Sequence, residues 1–270
     1  MNNQNRIFQL RANLKKKLRA RERLFAGWIS YSHPSITETF ARAGFDLIFI
    51  DMEHSTISIE QGQRIIAASQ SEGVPCIPRP VSHSNDYVKP LLESGCDGLL
   101  IQMVETPDQV KNLIKDIKYP PVGNRTYGVN RAQAYGFDMA EYYKNWNETS
   151  TFMLQIESIK GVENIEKLLD FDEVDGVMIG PLDIAGSLGV PGETKHPLVI
   201  EASRKVIEAC EKFGKSCGTQ LADVNQGDID SLFALGYNYI VLGSDLFVLW
   251  KWAEQMRSMM KSMQLKNHST

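Results

Sequence analysis

Long apolar runs are missing from this chain. None approaches the roughly 20 residues that a membrane-spanning helix needs, so membrane partners are not expected. The amino-terminal stretch MNNQNRIFQLRANLKKKLRARERLF is basic but lacks the apolar segment of a secretion signal, which points to a cytoplasmic protein. Cysteine is scarce: Cys76, Cys96, Cys210 and Cys217 form no C-x-x-C pair. They read as reduced thiols, mostly core fillers. A strong charge of one sign is also absent. The formal net charge of -4 invites neither nucleic acid nor an anionic membrane. No G-x-G-x-x-G follows the first apolar run, which weakens an open dinucleotide-binding sheet. Internal repeats and low-complexity tracts are lacking too.

What is present is a regular alternation. The 270 residues, 43% hydrophobic and 23% charged, suffice for one large α/β domain with a sizeable core. Short apolar runs at Phe25–Ser30, Leu47–Asp51, Pro75–Arg79, Gly98–Met103, Phe152–Ile156, Gly176–Ile179, Lys215–Gln220 and Tyr239–Leu242 read as strands. Helical patterns separate them: Ser35–Ala43, Ile59–Glu72, Asn85–Ser94, Pro107–Ile117, Gly161–Leu169, Pro197–Phe213, Gln226–Leu235 and Ser244–Met263. Gly44, Gly73, Gly95, Gly214 and Gly236 stand where helices stop before the next strand, as left-handed caps require. The expectation is a single (β/α)8 TIM barrel over residues 1–270, with an open doubly wound sheet as runner-up. Residues 1–23 would form an N-terminal basic helix whose Arg11–Arg23 stretch plugs the barrel bottom as a solvated helix. Residues 247–270 would be a C-terminal helix and tail, with an apolar surface (Trp250, Trp252, Met256, Met259, Met263) large enough for a subunit contact. The interval Tyr119–Ser150 breaks the rhythm. Its prolines, glycines and tyrosines read as a long ordered loop on the same side as the candidate site residues.

Barrel chemistry sits at the carboxyl ends of strands. Polar residues there are Asp51, Glu53, His54, Arg79, Gln102, Gln155, Glu157, Asp183 and Gln220. Glu157 and Asp183 end two separate runs, and two converging acids call for a divalent cation or for pairing with Arg79. Arg79 has the planar fork that suits a carboxylate or an enolate oxygen. His54 reads as a base, or as a hydrogen-bonded structural residue. Asp51 could receive hydrogen bonds from water around the cation. Gly180-Pro181-Leu182-Asp183 opens a helix and presents backbone N–H groups to an anion, or is an ordinary cap. No lysine stands at a candidate strand end, which argues against a Schiff base.

The segments FAGWIS, AGFDLIFIDMEHS, PRPV, LLESGCDGLLIQMVET, YPPVGNRTYGVNRAQAYG, LQIES, VDGVMIGPLDIAGSLGVPG and YIVLGSDL run in order from about Leu24 to Leu246. Together they resemble the HpcH/HpaI family of class II pyruvate aldolases. The resemblance implies a metal-dependent carbon–carbon lyase that reversibly cleaves a 4-hydroxy-2-oxo acid to pyruvate and an aldehyde. It implies Mg2+, Mn2+ or Co2+ on Glu157 and Asp183, His54 as base, and Arg79 on the enolate oxygen. Glu93 would orient His54, Gln155 would reach pyruvate or a water on the metal, and the amides of Leu182 and Asp183 would hold the pyruvate carboxylate beside Gly180 and Pro181. It also implies trimers or hexamers that exchange C-terminal helices.

Three positions depart from the family's habits. Arg125, a substrate-binding candidate in the long loop, is followed by Thr126 and Tyr127 instead of Gly. Gln102 replaces a common Pro, and Gln220 replaces a common apolar residue beside the aldehyde. Two added amides point to a polar, sugar-derived aldehyde. Alternatives are another metal–enolate lyase, such as one acting on a CoA ester, and a non-catalytic barrel used for binding or assembly. The intact set His54, Arg79, Glu157 and Asp183 speaks against the last.

Overall fold

From Leu24 onward strand and helix alternate, and every paired strand runs parallel to its neighbours. The computed structural model describes residues 3–267. Helix α1 (Asn3–Arg19) precedes β1 (Leu24–Ile29), α2 (Pro34–Arg42), β2 (Leu47–Asp51), α3 (Ile59–Ser71), β3 (Cys76–Arg79), α4 (Asn85–Glu93), β4 (Gly98–Ile101) and α5 (Pro107–Ile117). Helix α6 (Met139–Thr149) leads to β5 (Thr151–Ile156), α7 (Ile159–Glu163), α8 (Ile165–Leu169), β6 (Gly176–Ile179) and α9 (Pro181–Ser187). Then come α10 (Pro197–Lys212), β7 (Ser216–Leu221), α11 (Gln226–Ala234), β8 (Tyr239–Leu242) and α12 (Asp245–Asn267). The expected tail beyond Asn267 lies outside the described residues. No described helix is long and apolar enough to cross a membrane.

The ladder order is β3-β2-β1-β8-β7-β6-β5-β4. Pairing of β1 with β8 rules out the doubly wound alternative. Strand β3 packs against β4, bringing the two ends together into a TIM barrel with one seam, across which no ladder pairing joins the described residues. Successive strand residues face opposite ways, and this alternation sorts the core into two layers. Trp28, Phe49, Ile77, Leu100, Met153, Met178, Tyr239 and Val241 fill the lumen. Ile29, Ile48, Ile50, Leu99, Ile101, Leu154, Ile156 and Val177 face the surrounding helices. All five expected glycine stops have positive φ, from 64° at Gly214 to 103° at Gly236. The spacing places α7 and α8 in one helix; the structure breaks it at Asn164, whose φ/ψ of -92°/3° leaves the helical range.

Before each even-numbered strand a short polar side chain reaches sideways to an amide near the start of the neighbouring odd-numbered strand. Asp46 accepts from Phe25 N at 3.0 Å, Asp97 from Cys76 N at 2.9 Å, Asp175 from Phe152 N at 2.9 Å, and Asn238 from Cys217 N at 2.7 Å. Three of these four are acids, and α1 supplies their counterions. Lys17 pairs with Asp46 at 2.7 Å, Arg11 with Asp97 at 3.3 Å, and Lys15 and Arg19 with Asp175, each at 2.8 Å. Leu14 and Leu18 of the same helix join the lumen cluster from below. Thus α1 plugs the barrel as expected. Its basic face, however, is not simply solvated: Arg11 and Lys15 are buried because their charges answer buried carboxylates.

The interval 119–150 also departs from expectation. It contains a 3-10 turn at Arg131–Gly136 and all of α6. Both its ends lie where α5 finishes and β5 begins, the amino-terminal end of the barrel, opposite the strand ends that carry Glu157. Tyr119, Tyr127, Tyr142, Tyr143 and Trp146 pack on one another and around Arg125, whose guanidinium stacks 4.7 Å from the Tyr119 ring and 4.8 Å from Trp146. The aromatic excess serves this packing instead of covering the site.

Replacing Asp175 by Ala is expected to cost about 3–5 kcal/mol, because it strands Lys15 in a buried position. Replacing Lys17 by Ala, which breaks a more exposed pair, should cost at most about 1 kcal/mol. Urea unfolding of the two variants beside the parent checks the ordering. Equal losses would mean that the buried pair is not what holds α1.

Candidate active site

Extending the lumen alternation by one step past the apolar layer reaches the candidate residues. Phe49 leads to Asp51, Ile77 to Arg79, Leu100 to Gln102, Met153 to Gln155 and then Glu157, Met178 to Gly180, and Gly218 to Gln220. The same period of two that builds the core therefore gathers these polar groups into one layer over it.

Arg79 is its centre. Its guanidinium is buried, stacked 4.8 Å from the Trp28 ring, and bonded to Asp51 Oδ1 at 2.7 Å. Nη1 lies 2.9 Å from Glu53 Oε2 and donates to Gln155 Oε1 at 3.3 Å. Asp51 Oδ1 also accepts from His54 N at 3.0 Å, fixing the turn after β2. Gln155 donates from Nε2 to Glu157 Oε1 at 2.6 Å, so one amide links the arginine to the acid. The other oxygen of Glu157 accepts from Met103 N at 3.1 Å. Met103 has a φ of 48°, which turns its amide toward that carboxylate.

Gly180 is the space that Glu157 uses. A Cβ there would lie 2.8 Å from Glu157 Cγ, closer than any side chain tolerates. Gly180 caps α9, so Asp183 is not the cap; it sits in the first turn with its side chain exposed. The first amides of a helix have no intrahelical partner, leaving those of Leu182 and Asp183 free for an anion. His54 stands at the rim with 67% of its side chain exposed, its Nε2 3.7 Å from Glu53 Oε2. Gln220 is half-buried across the lumen.

Electrostatically the site is short of positive charge. Burial, aided by nearby Asp183 and opposed by the Met103 N–H and by Arg79, pushes the Glu157 carboxyl up to about 7. Burial also raises Glu53, partly offset by Arg79. Asp51 and Glu53 thus pair directly with the guanidinium, while Glu157 meets it only through Gln155. Asp183 lies near Glu157 and makes no pair with Arg79. Among the described residues no three His, Cys, Asp or Glu side chains form a ready cage. A hard cation needs only one or two protein carboxylates when substrate and water complete its shell, and Glu157 with Asp183 fits that requirement. Arg79 Nε and Gln102 Oε1 are buried without hydrogen-bond partners among the described residues. Such orphans are costly and mark a surface built to receive something polar.

Two sequence candidates are not part of this layer. Glu93 ends α4 at the opposite end of the barrel, where Oε1 accepts from Arg125 Nη2 at 2.9 Å and Oε2 from Gln133 Nε2 at 3.3 Å. Within one chain it does not reach His54, because α4 runs antiparallel to the strands and delivers its last residue to their starting side. Arg125 is buried beside Glu93 and Tyr142. It is a packed cation of the aromatic cluster and makes no contact with Arg79 or Glu157. Sequence reasoning also passed over Trp28 and the Met103 amide. Trp28 was detectable, since it shares the lumen parity of β1. The Met103 turn had no signal, because the left-handed backbone falls on a residue type that seldom adopts it.

Residues 25–251 match the HpcH/HpaI aldolase/citrate lyase family. The hydroxypyruvate/pyruvate aldolase of Roseobacter denitrificans is 33% identical over 237 residues, 87% of this chain and 91% of that protein. A 2-keto-3-deoxy-L-rhamnonate aldolase of Escherichia coli is 30% identical over 249 residues, 92% of each chain. The crystal structure of a HpcH/HpaI aldolase/citrate lyase family protein from Burkholderia cenocepacia superposes with a TM-score of 0.86 at 28% identity, covering 93% of this chain and 99% of that one.

The raised carboxyl of Glu157 gives a pH signature. The folded state holds this proton to about 7, whereas the unfolded chain releases it near 4.5. The folded state therefore binds more protons between those values, and its stability falls as pH rises through the window. In chelator, Glu157→Gln should flatten that fall in denaturant unfolding measured from pH 4.5 to 7.5. An identical slope in parent and variant would assign the titration elsewhere.

Proposed function

This chain belongs to the HpcH/HpaI aldolase/citrate lyase family, and on that premise we propose that it is a pyruvate aldolase, reversibly splitting a 4-hydroxy-2-oxo acid into pyruvate and an aldehyde. The observation that carries this reading is the buried line Arg79–Gln155–Glu157, with Asp183 at the helix start beside it. It puts one fixed positive charge and two under-neutralised carboxylates at the mouth of the lumen. Glu157 and Asp183 would hold a divalent cation (Mg2+, Mn2+ or Co2+), which supplies Lewis-acid polarisation of the 2-oxo acid when bound.

The protein's own groups supply the rest. The free amides of Leu182 and Asp183, turned out by Gly180 and Pro181, bind the substrate carboxylate. Arg79 cannot swing away, because Asp51, Glu53, Gln155 and Trp28 hold it. It therefore meets the charge that develops on the C2 oxygen as the C3–C4 bond breaks. His54 takes the proton of the C4 hydroxyl, and the bonding pair of C3–C4 moves toward C2. The aldehyde leaves, and a proton returned to C3 gives pyruvate. Glu53 stands between Arg79 and His54, with its Oε2 3.7 Å from the imidazole Nε2. The half-buried amide of Gln220 supports a polar, sugar-derived aldehyde.

The proposed assembly rests on the exposed face of α12. Val248, Leu249, Trp250, Trp252, Met259, Met260 and Met263 are all exposed on it. So much apolar surface on one helix supports burial against a second copy, in a trimer or hexamer with exchanged C-terminal helices. The four buried free thiols support a cytoplasmic setting.

Pyruvate release from a panel of 4-hydroxy-2-oxo acids, with and without EDTA, tests the reaction. Chelation should abolish turnover, and added Mn2+, Co2+ or Mg2+ should restore it. His54→Ala should lower the rate by about 10²–10⁴-fold while pyruvate still binds. Full turnover in EDTA, or an unchanged rate in His54→Ala, would overturn the assignment of these groups. Truncation before Phe247 should convert the oligomer to smaller species in sedimentation. A monodisperse monomer in the full-length protein would refute the assembly.

A further inference from the structure

Gln102 is a buried side chain of the lumen layer with no protein hydrogen-bond partner for its carbonyl oxygen among the described residues, while the neighbouring Gln155 has both polar ends engaged. It is 4% exposed. The backbone around it is fixed. Its carbonyl oxygen lies 2.5 Å from His83 Nε2, and the next residue, Met103, donates to Glu157. The seam between β3 and β4 has no ladder pairing among the described residues, and Arg79 of β3 reaches past β4 to Gln155 Oε1 on β5 at 3.3 Å. On the other side, Ile101 pairs with Leu154 in the β4–β5 register. One step further, Gln102 comes level with Gln155, whose amide is already spent on Arg79 and Glu157. Gln102 is therefore level with the residue that links Arg79 to Glu157, and next in the chain to the amide that holds Glu157. Gln220 is on the far side, with β5 and β6 between the two strands.

An amide orphaned in this way costs stability unless a ligand completes it. The missing partner must fit whichever polar atom of the amide faces inward. A hydroxyl fits both cases, since it donates and accepts. A methyl group fits neither. Because Arg79 and Glu157 flank the oxo-acid half of the substrate, a hydroxyl reaching Gln102 has to be carried by that half, on the carbon next to the carbonyl.

We propose that Gln102 is a specificity residue for the oxo-acid half, and that its side-chain amide recognises a hydroxyl on C3 of a 2-oxo acid. The protein would then use a 3-hydroxy-2-oxo acid as the carbon nucleophile in preference to an alkyl one. In the synthetic direction C3 loses a proton to the base and forms the C3–C4 bond to the aldehyde carbon. The aldehyde oxygen takes up a proton, and the product is a 3,4-dihydroxy-2-oxo acid. The inference rests on the aldolase reading of the same site. It assigns Gln102 to the oxo-acid half, whereas the sequence alone placed it with the aldehyde.

The test compares hydroxypyruvate with 2-oxobutyrate, which puts a methyl where the hydroxyl stood, each added to one fixed aldehyde by the cation-loaded enzyme. The Gln102→Met variant keeps the length of the side chain and removes the amide. The ratio of kcat/KM for hydroxypyruvate over 2-oxobutyrate is expected to fall about tenfold or more in the variant. A fall in both rates with the ratio unchanged would show a merely structural role and overturn the proposal. A second measurement needs no variant. Calorimetric titration of the parent should give hydroxypyruvate the tighter binding by about fivefold or more, and equal binding of the two acids would also overturn the proposal. Pyruvate with the same aldehyde separates the two failures. A parent enzyme that uses pyruvate but shows no hydroxyl preference removes only the role of Gln102. One that uses no 2-oxo acid removes the aldolase reading and this inference with it.

Discussion

A carboxylate taken out of water has to be neutralised, and this barrel answers that demand differently at its two ends. At the amino-terminal end Asp46, Asp97 and Asp175 each hold a neighbouring strand, and α1 brings Lys17, Arg11, Lys15 and Arg19 to meet them. The fourth equivalent position is Asn238, which is neutral; its amide nitrogen donates to Ser216 Oγ at 2.8 Å. Charge is balanced there, and the result is stability. At the carboxyl-terminal end Asp51 and Glu53 pair with Arg79, Glu157 meets it only through Gln155, and burial pushes Glu157 up to about 7. The imbalance leaves that end able to take a cation and a polar substrate. The same residue type, buried in the same lumen, is structural below and chemical above because only the lower end has its full complement of counterions.

The two ends are connected by the strands. The lower clamps fix where each strand begins, and the period of two then decides which residues emerge in the upper layer. A slip of one residue in β5 would turn Gln155 and Glu157 toward the helices and bring Leu154 and Ile156 to the mouth. The Asp175 contact with Phe152 N thus helps to set the aim of Glu157, five residues further along the same strand. Positioning of the site depends on acids that never approach the substrate.

Much of this was legible in the sequence because it follows from periodicity and punctuation. Apolar runs bounded by glycine gave all eight strands, with ends within about two residues of those observed, and polar residues just past those runs gave Arg79, Gln155, Glu157 and Asp183. What was not legible depends on three-dimensional charge pairing and backbone conformation. The basic stretch of α1 looked solvated because its aspartate partners lie from 29 to 160 residues away. Segment 119–150 read as a loop because Asn130 and the glycines around it interrupt the helical pattern, yet α6 forms where Tyr142 and Trp146 can bury against Arg125 and α1. Glu93 was tied to His54 by resemblance alone. In a (β/α)8 chain the last residue of a helix and the first residue after a strand are at opposite ends, and that topological fact separates them within a subunit.

The neutral amides of the upper layer complete the logic. A layer with this excess of carboxylates over its one guanidinium cannot accept further negative charge without another compensating group. Glutamine adds hydrogen-bonding capacity at no electrostatic cost, and its three occurrences are used in three ways. Gln155 has both polar ends engaged and acts as a strut between Arg79 and Glu157. Gln220 is half-buried at the mouth. Gln102 is buried with its amide unfilled. A residue fully engaged within the protein can hold geometry but cannot discriminate between ligands. A buried residue left unengaged discriminates strongly, because every ligand that fails to complete it leaves the penalty standing. Selectivity in this barrel should therefore reside in the amides that the catalytic charges do not use.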